Sequence, residues 1–246
     1  TQNLQRWEVV PSISYSVAGT TYHNKLKLVE TLSTNKMAYE SSFESFLKWG
    51  LKNYKAQKTG VMFSGHGSGI AGCAFDDNYL TNNYANSLDT GEIYRASMNA
   101  LAVTNIEKFD WIGFDCCLMG CADIASMMSD CYNYMIASQE LEGGYGWDHD
   151  IWMKKIVSNT SIDEPTLFNS ICESFIEQEH RLYCDDQEPG SECLATLAGY
   201  DLSKMNTFVS SFNSLVDSIG TNEAHYEKYK TAFLNSKLNQ FGDGFY

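Results

Sequence analysis

Cys117 and His66 are the two side chains of this 246-residue chain whose settings suit nucleophilic chemistry. Cys117 follows Trp111-Ile-Gly-Phe114, a short apolar run that reads as a buried strand and stops at Asp115 and two adjacent cysteines. Beyond it, Leu118, Met119, Ala122, Ile124, Ala125, Met127 and Met128 recur at the spacing of a packed helix. Strand, sharp turn, thiol and helix in that order put a cysteine at the carboxyl edge of a sheet, where open α/β sheets carry their chemistry. His66 ends a second short apolar run, Val61-Met-Phe-Ser64, inside Gly65-His-Gly-Ser-Gly69. A thiol and an imidazole at two strand ends are the minimum set for covalent catalysis.

The roles follow from chemistry and position. Cys117 is the nucleophile, expected at the start of a helix, a location that favours thiolate. His66 is the general base and acid, flanked by glycines that let the backbone turn tightly. The backbone N–H of Gly67, with that of Cys117, is placed to serve an oxyanion hole, because glycine allows close approach of a substrate. Asp115 stands two residues before the nucleophile and could simply cap the helix that follows. Gln139 to Asp150 is a glycine-rich acidic loop at the same sheet edge, bringing Glu140, Glu142, Trp147 and Asp148. Two readings compete: a zinc site of Cys116, Cys117, Cys121 and Cys131, whose spacing fits zinc poorly, and a catalytically silent interaction module.

Certain elements must position these groups. Leu4 to Val17, with Thr20-Thr-Tyr22 and Leu26 to Val29, reads as an antiparallel hairpin. Met37 to Tyr54 carries Phe43, Phe46, Leu47, Trp49 and Leu51 at helical spacing and leads into the His66 strand. Residues 76 to 90 are polar and Asn-rich, a surface loop, after which Asp89 or Thr90 caps a helix through Ile93, Met98 and Leu101. Tyr132 to Ser138 is another buried strand, and residues 164–183, 201–219 and 222–239 read as helices. Alternating helices and short buried strands predict a three-layer αβα sandwich around a mainly parallel central sheet.

Composition narrows the class further. The chain is 43 % hydrophobic and 20 % charged, ordinary for a globular domain. A net charge of −14 argues against nucleic acid or an anionic membrane as partner, and favours basic substrates by steering. No apolar run is long enough to cross a membrane as a helix. Of the eight cysteines, Cys184 and Cys193 bracket a polar loop and form a candidate disulfide. With the sequon Asn159-Thr-Ser161, that pair is compatible with a secreted or periplasmic, extracytoplasmic protein.

Ser64-Gly-His-Gly67 and Phe114-Asp-Cys-Cys-Leu-Met119 resemble the His-Gly and Asp-Ala-Cys-Leu-Met signatures of the clostripain-like cysteine peptidases, relatives of caspases, legumain and gingipains. Leu28-Val-Glu-Thr-Leu32, Phe46-Leu-Lys-Trp49, Ala137-Ser138 and Gly144-Tyr-Gly-Trp147 fall in family order, so the resemblance spans roughly residues 4 to 160. It implies a caspase-like fold, a thiol and imidazole separated by substrate, and a thioester intermediate. Asp115 is then implied as part of the pocket for the residue before the cut, favouring Arg or Lys, with Glu140, Glu142 and Asp148 adding acidity and Trp147 forming a wall. Cys116 replaces the family's alanine and is expected to point inward. The resemblance also implies two strands ahead of Thr1, so residues 1–246 are expected to form one peptidase domain that lacks those strands, ends mid-domain and does not fold alone. The missing strands would belong either to a separate N-terminal light chain released by processing or to a longer chain of which residues 1–246 are a fragment. Self-cleavage between the two motifs is doubtful, since loop 76–90 has no Lys or Arg. No cofactor is required; calcium, used by some relatives, has candidate oxygen ligands in Asp76-Asp-Asn78 and Asp185-Asp186.

Overall fold

A computed structural model of the chain describes residues 3–17, 20–81, 84–184, 195–220 and 222–236. It opens with an antiparallel hairpin of β1 (Gln5–Val17) and β2 (Thr20–Thr31), as the alternation predicts. Helix α1 (Glu40–Asn53) buries Phe43, Leu47 and Leu51 on one face and feeds β3 (Gly60–Ser64). Strands β4 (Cys73–Thr81) and β5 (Tyr84–Leu88) then pair antiparallel. Residues 76–90 are therefore not the loop that composition predicts. The Asp76 carboxylate is buried in this hairpin and accepts from the backbone N–H groups of Met37 and Asn78, at 3.2 and 3.1 Å.

Helix α2 (Thr90–Leu101) starts with a capping box in which Asp89 accepts from the Glu92 N–H and Glu92 accepts from the Asp89 N–H. Strand β6 (Phe109–Asp115) follows, then α3 (Ala122–Met128) and β7 (Tyr132–Ala137). Two elements that sequence reasoning missed come next: α4 (His149–Ser158) and, beyond α5 (Glu164–Glu179), the short strand β8 (Ala198–Asp201). Helices α6 (Met205–Gly220) and α7 (Glu223–Ser236) complete the described chain.

The central sheet has the order β3-β6-β7-β8, with the first three strands parallel and β8 antiparallel to β7. Because side chains alternate along a strand, β6 serves both faces. Ile112 and Phe114 point into a core with Phe43 and Leu47 of α1, Ile93 and Ala96 of α2, and Ile124 and Met128 of α3. Trp111 points to the other face, among Trp152 of α4 and Leu167, Phe168, Ile171 and Phe175 of α5. Each such aliphatic side chain contributes about 1.5–3 kcal/mol when fully buried. Helices on both faces of a mainly parallel sheet are the predicted three-layer sandwich.

Gly113 shares the Trp111 face and lies between the Trp111 and Trp147 rings, where nothing larger fits. A Cβ there would meet the Trp111 ring at 2.9 Å and the Trp147 ring at 3.2 Å. Gly113→Ala should therefore cost about 1–3 kcal/mol by overpacking. Urea unfolding should show a lower midpoint at unchanged slope; an unchanged midpoint would mean the two rings have room to move.

Candidate active site

Register brings the two motifs together. In the parallel ladder Gly60 lies beside Trp111 and Ser64 beside Asp115. The Gly65 N–H continues the ladder onto the Asp115 carbonyl at 3.1 Å. His66 and Cys117 each stand two residues beyond the paired ends Ser64 and Asp115, in the loops that follow two neighbouring parallel strands. The loops they occupy touch: a Cβ on Gly67 would lie 2.3 Å from the Cys117 carbonyl oxygen and 2.9 Å from the Cys116 Cβ. Gly67 is thus required for close packing of the two motifs, and His66 stands exposed beside that contact.

Cys117 does not start a helix. Helix α3 begins at Ala122, with Cys121 as its N-cap residue. The segment between is held by long-range backbone bonds: the Leu118 N–H donates to Glu140 at 3.1 Å and the Gly120 N–H to Ser138 at 2.6 Å. Leu118 adopts φ 65°, a left-handed turn that the apolar spacing of Leu118 and Met119 conceals. The helix-terminus argument for a thiolate at Cys117 therefore falls. What holds the half-buried Cys117 Sγ is the backbone of Glu142, whose N–H donates to it at 3.3 Å and whose carbonyl accepts from it at 3.8 Å.

Asp115 does not cap α3 either. Its carboxylate is buried and accepts from the Trp147 N–H at 3.1 Å and the Ser64 hydroxyl at 3.3 Å, and it meets His149 Nε2 at 3.1 Å. Sequence reasoning missed His149; its only local signal was an imidazole inside the acidic Trp147-Asp148-His149-Asp150 turn. Glu142 lies beside Asp115, and both its carboxyl oxygens are buried without a partner at hydrogen-bonding geometry among the described residues. Burial, reinforced by the Asp115 charge, pushes its carboxyl up to about 10.

The other predicted residues scatter. Trp147 presents its main chain to Asp115 while its ring is buried in the α4–α5 core. Glu140 acts through its backbone, bonded to Leu118, Ser138 and Thr196. Asp148 caps α4, accepting from the Ile151 N–H at 3.3 Å, and is not among the groups bonded to Asp115. Cys116 points inward: hydrogen bonding to the Cys73 thiol, then burial, pushes its own thiol far above the usual range.

The four cysteines of the zinc reading do not converge. Cys116 adjoins Cys73, Cys117 adjoins Glu142 and Cys131 donates to the Tyr94 carbonyl at 3.9 Å. Among the described residues no group of three or more His, Cys, Asp or Glu is arranged to hold a metal ion. Asp185, Asp186 and the Cys184–Cys193 pairing lie outside the side chains described.

A mainly parallel sheet covered by helices on both faces, with a thiol and a histidine just beyond two neighbouring strand ends, fits a caspase-like fold. The family model described as Peptidase_C11, the clostripain family, matches residues 23–241, and the chain belongs to that family of hydrolases. No curated protein matches it. Among solved structures, it is similar to a secreted C11 cysteine protease from Bacteroides thetaiotaomicron in complex with an irreversible peptide inhibitor. That match has 14 % identity over 91 % of this chain and 68 % of that one, with a TM-score of 0.58. The secreted C11 protease "iotapain" from the same organism is 16 % identical over 84 % of this chain and 56 % of its own, at 0.60. An inactive zymogen C11 protease from Parabacteroides distasonis is 19 % identical over 83 % and 51 %, at 0.54. The chain thus spans about half to two thirds of the length of these structures, and the likeness establishes the caspase-like fold.

The Glu142 carboxyl gives a pH prediction. Its folded-state value, about 10, lies above the ordinary 4.5, so the native protein holds a proton there that the unfolded chain releases. Its contribution to stability therefore falls as pH rises through that window, by up to ~1.4 kcal/mol per unit. Glu142→Gln should flatten this dependence between about pH 5 and pH 9. Parallel stability profiles for the two proteins would show that Glu142 is ionised or solvated in the native state.

Proposed function

We propose that this chain is the catalytic part of a cysteine endopeptidase that cuts after Arg or Lys. The observation that carries the proposal is the pairing of Ser64 with Asp115, which leaves His66 and Cys117 each two residues past neighbouring parallel strand ends. Cys117 Sγ attacks the scissile carbonyl, and the N–H groups of Gly67 and Cys117 stabilise the oxyanion. His66 protonates the departing amine, leaving a thioester on Cys117. Water, deprotonated by His66, then attacks the thioester, releasing the acid and restoring the thiol.

The buried Asp115 carboxylate with Glu142 beside it supports a basic residue before the cut, since a carboxylate pairs with a guanidinium bidentately. Glu140 and Asp148 add negative charge around the mouth, and Trp147 backs the pocket. Among the described residues no strand covers the outer edge of β3. A groove of about 410 Å³ beside it is lined by Leu4, Phe43, Phe46, Val61 and Phe63. That edge supports a further strand from a light chain as partner. Two neighbours are secreted proteins and one is a zymogen, which supports an extracytoplasmic, processed enzyme. Calcium is a proposal of the family resemblance alone.

Matched fluorogenic peptides ending in Arg, Lys, Asp or Leu test this reading, with any light chain present. Turnover should be confined to Arg and Lys and should fall by at least ~10³-fold in Cys117→Ala. Asp115→Asn should lower kcat/KM for the basic peptides by about 30- to 100-fold, the cost of removing one member of a buried charge pair. Cleavage after Asp or Leu would keep the peptidase and remove the basic pocket; no turnover of any peptide would favour the silent module.

A further inference from the structure

The Asp115 carboxylate already has a companion where a substrate cation would bind. The backbone of the 139–148 loop closes one side, since a Cβ on Gly146 would fall 2.6 Å from Oδ1 and the Trp147 N–H bonds that oxygen. Ser64 adds only a hydroxyl, which can stay beside an incoming cation. The fourth group is the His149 ring, with Nε2 3.1 Å from Oδ2. Its side chain is 38 % exposed, whereas that of Asp115 is 3 % exposed, so the ring is a cover between a buried charge and solvent. Little else holds it: Nδ1 is buried without a hydrogen-bond partner among the described residues, and the ring meets Trp152 edge-on at 5.6 Å.

We propose that His149 is a displaceable cover of the Asp115 pocket, occupying the place of the substrate's basic group and giving way to it. The inference rests on the reading of a peptidase that cuts after basic residues, and deepens it. Displacing the imidazole removes one N–H contact from Oδ2. A guanidinium returns two aligned N–H donors, whereas an ammonium returns a single point contact. The cost of displacement is the same for either cation, so the cover weakens Arg and Lys binding alike, and Glu142 forms the second wall of the uncovered pocket.

Two measurements test this on the protein with any light chain bound. In turnover of peptides ending in Arg or Lys, His149→Ala should lower KM about tenfold for both, as though a competing contact worth that factor were removed. In calorimetry on the Cys117→Ala protein, n-butylguanidinium should bind about tenfold tighter once His149→Ala is added. His149→Gln keeps a donor at the same reach and should fall between; it decides the matter if the alanine variant fails to fold. An Arg KM that stays or rises in a folded variant, or a guanidinium affinity insensitive to His149, overturns the proposal. If wild type turns over no peptide, the peptidase reading fails, and the guanidinium measurement still decides the role of His149.

Discussion

A carboxylate buried at the end of the central strand must be satisfied, and the sheet edge is built around meeting that demand. Asp115 draws the Trp147 N–H, the Ser64 hydroxyl and the His149 ring onto itself. Since an unpaired buried charge is costly, these contacts pin the 139–148 loop over the strand ends. The same loop supplies the Glu142 backbone that clasps the Cys117 sulfur. Specificity pocket and nucleophile are therefore held by one segment, and disturbance of either should reach the other. The glycines of that segment serve the same end: Gly146, at φ 63°, lets the backbone lie on the carboxylate.

The histidine motif is positioned differently. His66 is placed by parallel pairing of β3 with β6 and by the lack of a side chain at Gly67. Its own ring is exposed, as suits a group that works on a substrate lying between it and the thiol. Cys73 links this side to the core: it pairs through its backbone with Gly67, and its thiol adjoins that of Cys116. The cysteine at 116 thus fills a small inward space behind the nucleophile.

Elements with strong local signals were legible in the sequence. The apolar runs before Ser64 and Asp115 are β3 and β6, the helical spacing around Phe43 and Leu47 is α1, and Asp89 is a cap. Elements defined by partners were not. β8 is Ala-Gly-Tyr-Asp, a strand only because β7 lies beside it, and α4 buries Trp152 alone, too little for a periodic pattern. The β4–β5 hairpin is concealed by Asp and Asn, one of which is buried and bonded to a backbone N–H 39 residues away. The turn after Cys117 reads as helix by spacing, yet backbone bonds to residues 138 and 140 decide its shape. His149 meets Asp115 across 34 positions, a pairing that its acidic local setting does not disclose.

In the proposed reaction Cys117, among eight cysteines, is the thiol that a basic substrate brings into reaction. The most direct measurement is covalent labelling with a peptidyl chloromethyl ketone ending in arginine, followed by intact mass and peptide mapping. The account predicts one adduct per chain, on Cys117, lost when His66 is replaced by alanine and slowed by excess n-butylguanidinium. An adduct on Cys116 or another cysteine, or equal labelling by a ketone ending in leucine, would contradict it.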